Sequence, residues 1–236
     1  MAENETKNTP LLIIGTSGTG KTSAADEFPI DKTIVLNIED KTLTSREADR
    51  FTTKYIRSYK TLDATLTALV KDGNSESPKY EYVLIDSFTA ITEITEKYAN
   101  HVFTGFEQWK QYNEMLVNVI GKIKQLKQKV IVTALPEQKD VGFNELKEYA
   151  RVKGKELKYG YLESQFTVVL YTQPEYAEED IRDKDIEAGD MIECYLKYKP
   201  NKFNTAKSPR GMFEGKITNK ALDLFERVDK YYGRTN

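Results

Sequence analysis

The run Gly15-Thr16-Ser17-Gly18-Thr19-Gly20-Lys21-Thr22 constrains what this chain can fold into more than any other feature. It follows Leu11, Leu12, Ile13 and Ile14, a short apolar run suited to a strand buried on both faces. Glycines let the backbone curl without a Cβ clash, so successive N–H groups converge into an anion nest. A helix beginning at Lys21, Thr22, Ser23, Ala24 and Ala25 would add its positive end. The spacing G-x-x-x-x-G-K-[ST] behind a strand is that of a phosphate-binding turn. Lys21 is expected to reach β- and γ-phosphates, and the Thr22 hydroxyl a Mg²⁺ ion. The eight residues of the run and Ser23 are therefore the expected nucleotide-binding residues.

A phosphate site of this kind needs a carboxylate opposite the hydroxyl, holding the metal through its water shell. The apolar strand Tyr82-Val83-Leu84-Ile85 ends in Asp86 and offers one, although an Asp at a strand end also serves as a helix cap. Hydrolysis further needs a group that orients and deprotonates water. Glu39 and Asp40 both follow the buried strand of residues 33–38, on the edge of a parallel sheet where ligands bind; Glu39 is favoured as the base. Thr133, at the end of the strand of residues 130–133, is a weaker candidate as a γ-phosphate sensor, with Glu137 and Gln138 just beyond.

Strands alternating with helical stretches at residues 45–50, 62–70, 90–98 and 106–126 give an α/β fold, a mostly parallel sheet covered by helices on both faces. In the last stretch, Trp109, Tyr112, Met115, Leu116, Val119, Ile120 and Ile123 share one stripe. The second half is β-rich, with strands expected at 166–171, 192–198 and 211–213 and a closing helix at 222–232. Residues 1–9 read as a flexible polar tail, and 10–236 as a single domain. Within it lie an acidic loop at about 174–190 and a basic hairpin at about 197–216.

Composition removes several function classes. A single histidine, His101, and a single cysteine, Cys194, are too few for zinc sites and for Ser-His-Asp or Cys-His catalysis. One cysteine forms no intramolecular disulfide, which points to the cytoplasm. No apolar run is long enough to span a membrane, and the polar start lacks the apolar segment of a secretory signal. The net charge of −2 lacks the basic excess of a monomeric duplex-DNA binder. Any nucleic-acid contact must come from a local patch, such as the basic stretch with Tyr195, Tyr198 and Phe203 interleaved, or from a surface repeated by oligomerisation.

The phosphate loop, the Ile38-Glu39 strand end, VLIDS at residues 83–87 and KVIVTALPE at residues 129–137 together resemble RecA-like ATPases. More closely, their order is similar to small phage-encoded nucleotide-binding proteins grouped with AAA-type and RecA-like folds, including recombinases implicated in single-strand annealing. The helix around residues 108–112 and Lys153-Gly154-Lys155 fit that group as well. The resemblance implies a RecA-like core that hydrolyses ATP with Mg²⁺, with Glu39 as water activator. It also implies ATP sandwiched between protomers of a ring or filament. Residues 206–211 resemble the Lys-x-x-Arg-Gly element that supplies charges in trans, here Lys207 and Arg210. Expected partners are further copies of the chain, single-stranded DNA and a phage single-strand-binding or replication protein. The sequence departs from the group at Leu135, where many relatives carry His or Gln, and in the acidic loop. The alternatives are a phosphate-loop small-molecule kinase, against which the scarcity of Arg argues, and a nucleotide-gated scaffold with little turnover.

Overall fold

The computed structural model describes residues 8–42, 50–142, 145–153, 160–176 and 191–234. Ten strands and four helices are named here in chain order: β1 Leu11–Ile14, β2 Thr33–Asn37, β3 Thr52–Tyr55, α1 Tyr59–Gly73, β4 Tyr82–Asp86, α2 Phe88–Val102, α3 Gly105–Gln125, β5 Lys129–Ala134, β6 Pro136–Asp140, β7 Leu146–Ala150, β8 Val168–Tyr176, β9 Met191–Lys197, β10 Ile217–Thr218 and α4 Ala221–Tyr231. Among the described residues, eight strands form one sheet in the order β10-β9-β8-β1-β5-β4-β2-β3. From β8 to β3 the pairing is parallel; β9 and β10 extend the sheet antiparallel beyond β8.

The apolar strands obey the two-residue alternation of a sheet covered on both sides. Leu12, Ile14, Leu36, Ile85 and Val132 pack into one core with α1, α2 and α3. Leu11, Ile13, Val35, Leu84 and Ile131 point the other way, into a second core with Phe28, Leu224, Phe225 and Val228. This is the α/β sandwich the sequence implies. Ser58 caps α1, its hydroxyl accepting from Thr61 N–H, and Ser87 caps α2 by accepting from Ala90 N–H. The cap of α2 is therefore Ser87, and the Asp86 carboxylate is free to face elsewhere.

Several expectations are corrected. The turn Gly15–Lys21 opens only a 3-10 turn, Thr22–Ala25, in place of a full helix. Pro29 lies too close: the residue before a proline avoids helical backbone, and Phe28 is anchored against Tyr82 at 4.4 Å between ring centroids. A separate hairpin of β6 and β7 follows β5; its polar strands, PEQKD and LKEYA, carry no apolar run to betray them. Residues 174–176, expected in the acidic loop, are the end of β8, and residues 177–190 lie outside the described set. Residues 211–213 lie in no strand, and the short strand nearby is β10 instead.

The basic hairpin is likewise not a tight hairpin. Leu196 pairs with Ile217, but the connection between them is irregular and is fastened elsewhere, Asn204 bridging to Glu148 and Lys207 to Val169. Trp109 at the start of α3 faces solvent at 44% exposure, whereas Tyr112, Leu116, Val119, Ile120 and Ile123 of the same stripe are buried. The helix expected at 45–50 and the Lys153-Gly154-Lys155 element fall largely outside the described residues, as do residues 1–7.

Candidate functional site

The parallel strands β1, β5, β4 and β2 end on the same edge of the sheet, and a cleft of about 230 Å³ lies there. Ser17, Gly18, Gly20, Lys21, Thr22 and Ser23 line it, with Asn37, Glu39, Asp86 and Leu135 opposite. Gly18 and Gly20 adopt φ of 80° and 82°, a left-handed backbone that favours glycine. Gly15 is required for a different reason: a Cβ there would fall 1.9 Å from the Thr172 hydroxyl of β8. The N–H groups of Gly18, Gly20 and Lys21 reach no acceptor among the described residues. Unmatched donors of this kind in a concave turn suit an anion.

Lys21 is buried, and its Nζ donates to Thr16 O at 2.6 Å. Burial lowers its pKa from the ordinary lysine value, while the negative charges of Asp86 and Glu39 oppose that shift. The Thr22 hydroxyl donates to Asp86 Oδ2 at 3.0 Å and the Thr133 hydroxyl to Asp86 Oδ1 at 2.5 Å. Because β5 pairs with β4, Thr133 stands beside Asp86, and its buried hydroxyl donates to that carboxylate. Desolvation holds Asp86 above the usual carboxylate range, against the pull of both hydroxyls.

The donor set fits a magnesium site. One hydroxyl and one carboxylate, side by side at the floor of a phosphate-binding cleft, leave the remaining positions to water and phosphate oxygens, the mode this hard cation prefers. The described residues hold no cluster of three or more His, Cys, Asp or Glu that would make a closed protein cage. A desolvated carboxylate beside a desolvated ammonium is also a site that an added cation and anion would relieve electrically.

Of the two base candidates, the structure separates them. Glu39 Oε1 accepts from the Ser87 hydroxyl at 2.7 Å, and Oε2 lies 3.3 Å from Lys41 Nζ. Asp40, at φ 56°, is turned outward and held by Arg57 through two bonds of 2.8 Å. That pairing keeps its carboxyl below the ordinary range. The turn is built by Asn37, buried at the end of β2, whose Oδ1 accepts from Asp40 N–H and whose Nδ2 donates to Lys41 O. Asn37 and Ser87 escaped the sequence reading. Their only signal was position, Ser87 directly after Asp86 and Asn37 two residues before Glu39.

Lys207 and Arg210 are not brought to this cleft. Lys207 pairs with Val169, whose neighbour on β1 is Leu12, toward the strand end away from the phosphate loop. Its ammonium is lowered by desolvation. Arg210 is exposed and lies beside Tyr198, Pro200 and Phe213. Of the aromatics interleaved with the basic stretch, Tyr198 is buried against Phe213, and Lys216 covers the Tyr195 ring at 3.3 Å while pairing with Glu175. Phe203 alone of the three is freely exposed, at 60%.

Among the described residues no helix is long and apolar enough to cross a membrane. No curated protein sequence matches the chain. The model of a family described as an AAA domain, AAA_24, matches residues 7–210, a span that contains the phosphate loop, Glu39, Asp86 and the whole parallel sheet. The glycine turn with its unmatched donors, the buried lysine and the hydroxyl–carboxylate pair are what a nucleotide-binding domain of that kind requires, and the chain belongs to the AAA domain family.

Proposed function

We propose that this chain hydrolyses ATP with Mg²⁺, using Glu39 as general base. The observation that carries the reading is the convergence of Lys21, Thr22, Asp86 and Glu39 on one cleft, with Glu39 close enough to influence the protonation of both Lys21 and Asp86. The backbone N–H groups of the glycine turn and the Lys21 ammonium would hold the β- and γ-phosphates. Thr22 and Asp86 would hold Mg²⁺, which when bound neutralises charge on the transferring phosphoryl group. Ser87 orients Glu39 through Oε1, and Oε2, met only by the exposed Lys41 ammonium at 3.3 Å, would take a proton from water at the cleft mouth once that ammonium swings away. Asp40 is excluded from that part by its pairing with Arg57.

The preference for ATP and the assembly state come from the resemblance to RecA-like, phage-type ATPases. Arg210 is exposed and outside the cleft of its own chain, so as a catalytic cation it would have to serve a neighbouring copy, in a ring or filament. Single-stranded DNA is the polymer that reading implies, and Phe203 with Lys202 is the exposed aromatic–cation pair that would meet it. The test is Glu39→Gln. It should leave the Kd for Mg-ATP near the wild-type value and lower turnover by about 10²- to 10⁴-fold. Unchanged turnover would remove Glu39 as the base and favour a nucleotide-gated scaffold or a kinase.

A further inference from the structure

Three residues remote in sequence meet the back of the phosphate loop from the antiparallel extension of the sheet. The Thr172 hydroxyl of β8 lies 2.8 Å from that of Thr19. Cys194 of β9 donates its thiol to Thr19 O at 3.1 Å. Asn219, directly after β10, donates Nδ2 to Gly20 O, an oxygen that also accepts from Ser23 Oγ at 2.9 Å. Asn219 and Cys194 are themselves joined, Asn219 N–H donating to Cys194 O at 3.0 Å.

We propose that Asn219 is a positioning residue for nucleotide binding, with Cys194 as its auxiliary; the inference rests on the nucleotide-binding reading above. In a trans peptide the carbonyl and the next N–H point in opposite directions. Fastening Thr19 O and Gly20 O toward the β8–β10 side therefore turns the N–H groups of Gly20 and Lys21 the other way, and those are donors with no acceptor among the described residues. The contact is as close as the turn permits. A Cβ on Gly20 would fall 3.3 Å from Asn219 Nδ2 and 3.4 Å from Cys194 Cβ. The Asn219 Oδ1 is buried and has no hydrogen-bond partner among the described residues, so the side-chain amide is held through Nδ2. Preorganised donors bind an anion without first having to be ordered, which is where the affinity gain arises.

The test is a titration of a fluorescent N-methylanthraniloyl ATP with Mg²⁺ against wild type, Lys21→Ala and Asn219→Asp. Aspartate keeps the shape of asparagine, removes the donor to Gly20 O and sets negative charge behind the loop. The Asn219→Asp Kd should rise by about ten-fold or more. KM for ATP should rise in parallel while kcat stays within about three-fold, the split expected of a group that acts on binding. A folded Asn219→Asp protein with wild-type Kd, or one that loses kcat at constant KM, overturns the proposal. If that variant does not fold, Cys194→Ser and Cys194→Val decide: weaker binding for valine alone supports the clamp, and equal affinities overturn it. A wild type that does not bind the probe sinks the nucleotide reading as well, whereas normal wild-type binding beside an unaffected variant sinks the clamp alone.

Discussion

At the residue scale the site is a compromise between stability and function, and Asp86 shows it best. Its pKa is raised chiefly by desolvation, so in the folded chain the ionised form is disfavoured relative to the unfolded chain. The sign follows: what Asp86 contributes to stability is fully present below the unfolded carboxylate pKa and is lost as pH rises through the raised folded value. Asp86→Asn should therefore raise the melting temperature of the nucleotide-free protein at neutral pH while abolishing Mg-dependent turnover. Its advantage over wild type should shrink as pH falls through that window, which differential scanning fluorimetry across pH would show. Asp40→Asn offers the contrasting case. It breaks an exposed pair with Arg57, so turnover should stay within about two-fold of wild type and the urea midpoint should stay near that of wild type, checked by steady-state kinetics and urea denaturation. Lys21 is desolvated as Asp86 is, and its pKa is pushed down where that of Asp86 is pushed up.

At the element scale, what could be read in advance depended on how apolar each element is. Strands β1, β2, β4 and β5 each hold a run of three or more apolar residues because they are covered on both faces, and that makes them legible as strands and as parallel. Asp86 and Glu39 were found for the same reason, each being the first acidic residue after such a run. The hairpin of β6 and β7 was not legible because its strands are polar and stand outside the main sheet, with no apolar alternation to reveal them. Nor was the brace behind the phosphate loop, since Thr172, Cys194 and Asn219 converge only through the pairing of β8, β9 and β10. Helix α3 separates the two kinds of position on one stripe. Leu116 is fully buried, and Leu116→Ala should cost about 2–5 kcal/mol. Trp109→Ala, one end of the stripe but facing solvent, should cost less than about 1 kcal/mol in the same urea titration.

At the scale of the whole molecule, the order of the sheet explains why these residues share a cleft. Inserting β5 between β1 and β4 spaces the phosphate loop from Asp86 and places Thr133 between them, while β2 on the far side of β4 delivers Glu39. The opposite end of the sheet carries Lys207, so the Lys207–Arg210 segment could contribute to hydrolysis only at the cleft of a neighbouring copy. The measurement that tests the account most directly is Mg-ATP hydrolysis by purified wild-type protein beside Lys21→Ala, with and without single-stranded DNA. The account predicts Mg-dependent turnover that Lys21→Ala reduces by about 100-fold or more. Equal turnover in the two proteins, or a wild type that neither binds nor hydrolyses ATP, would contradict it.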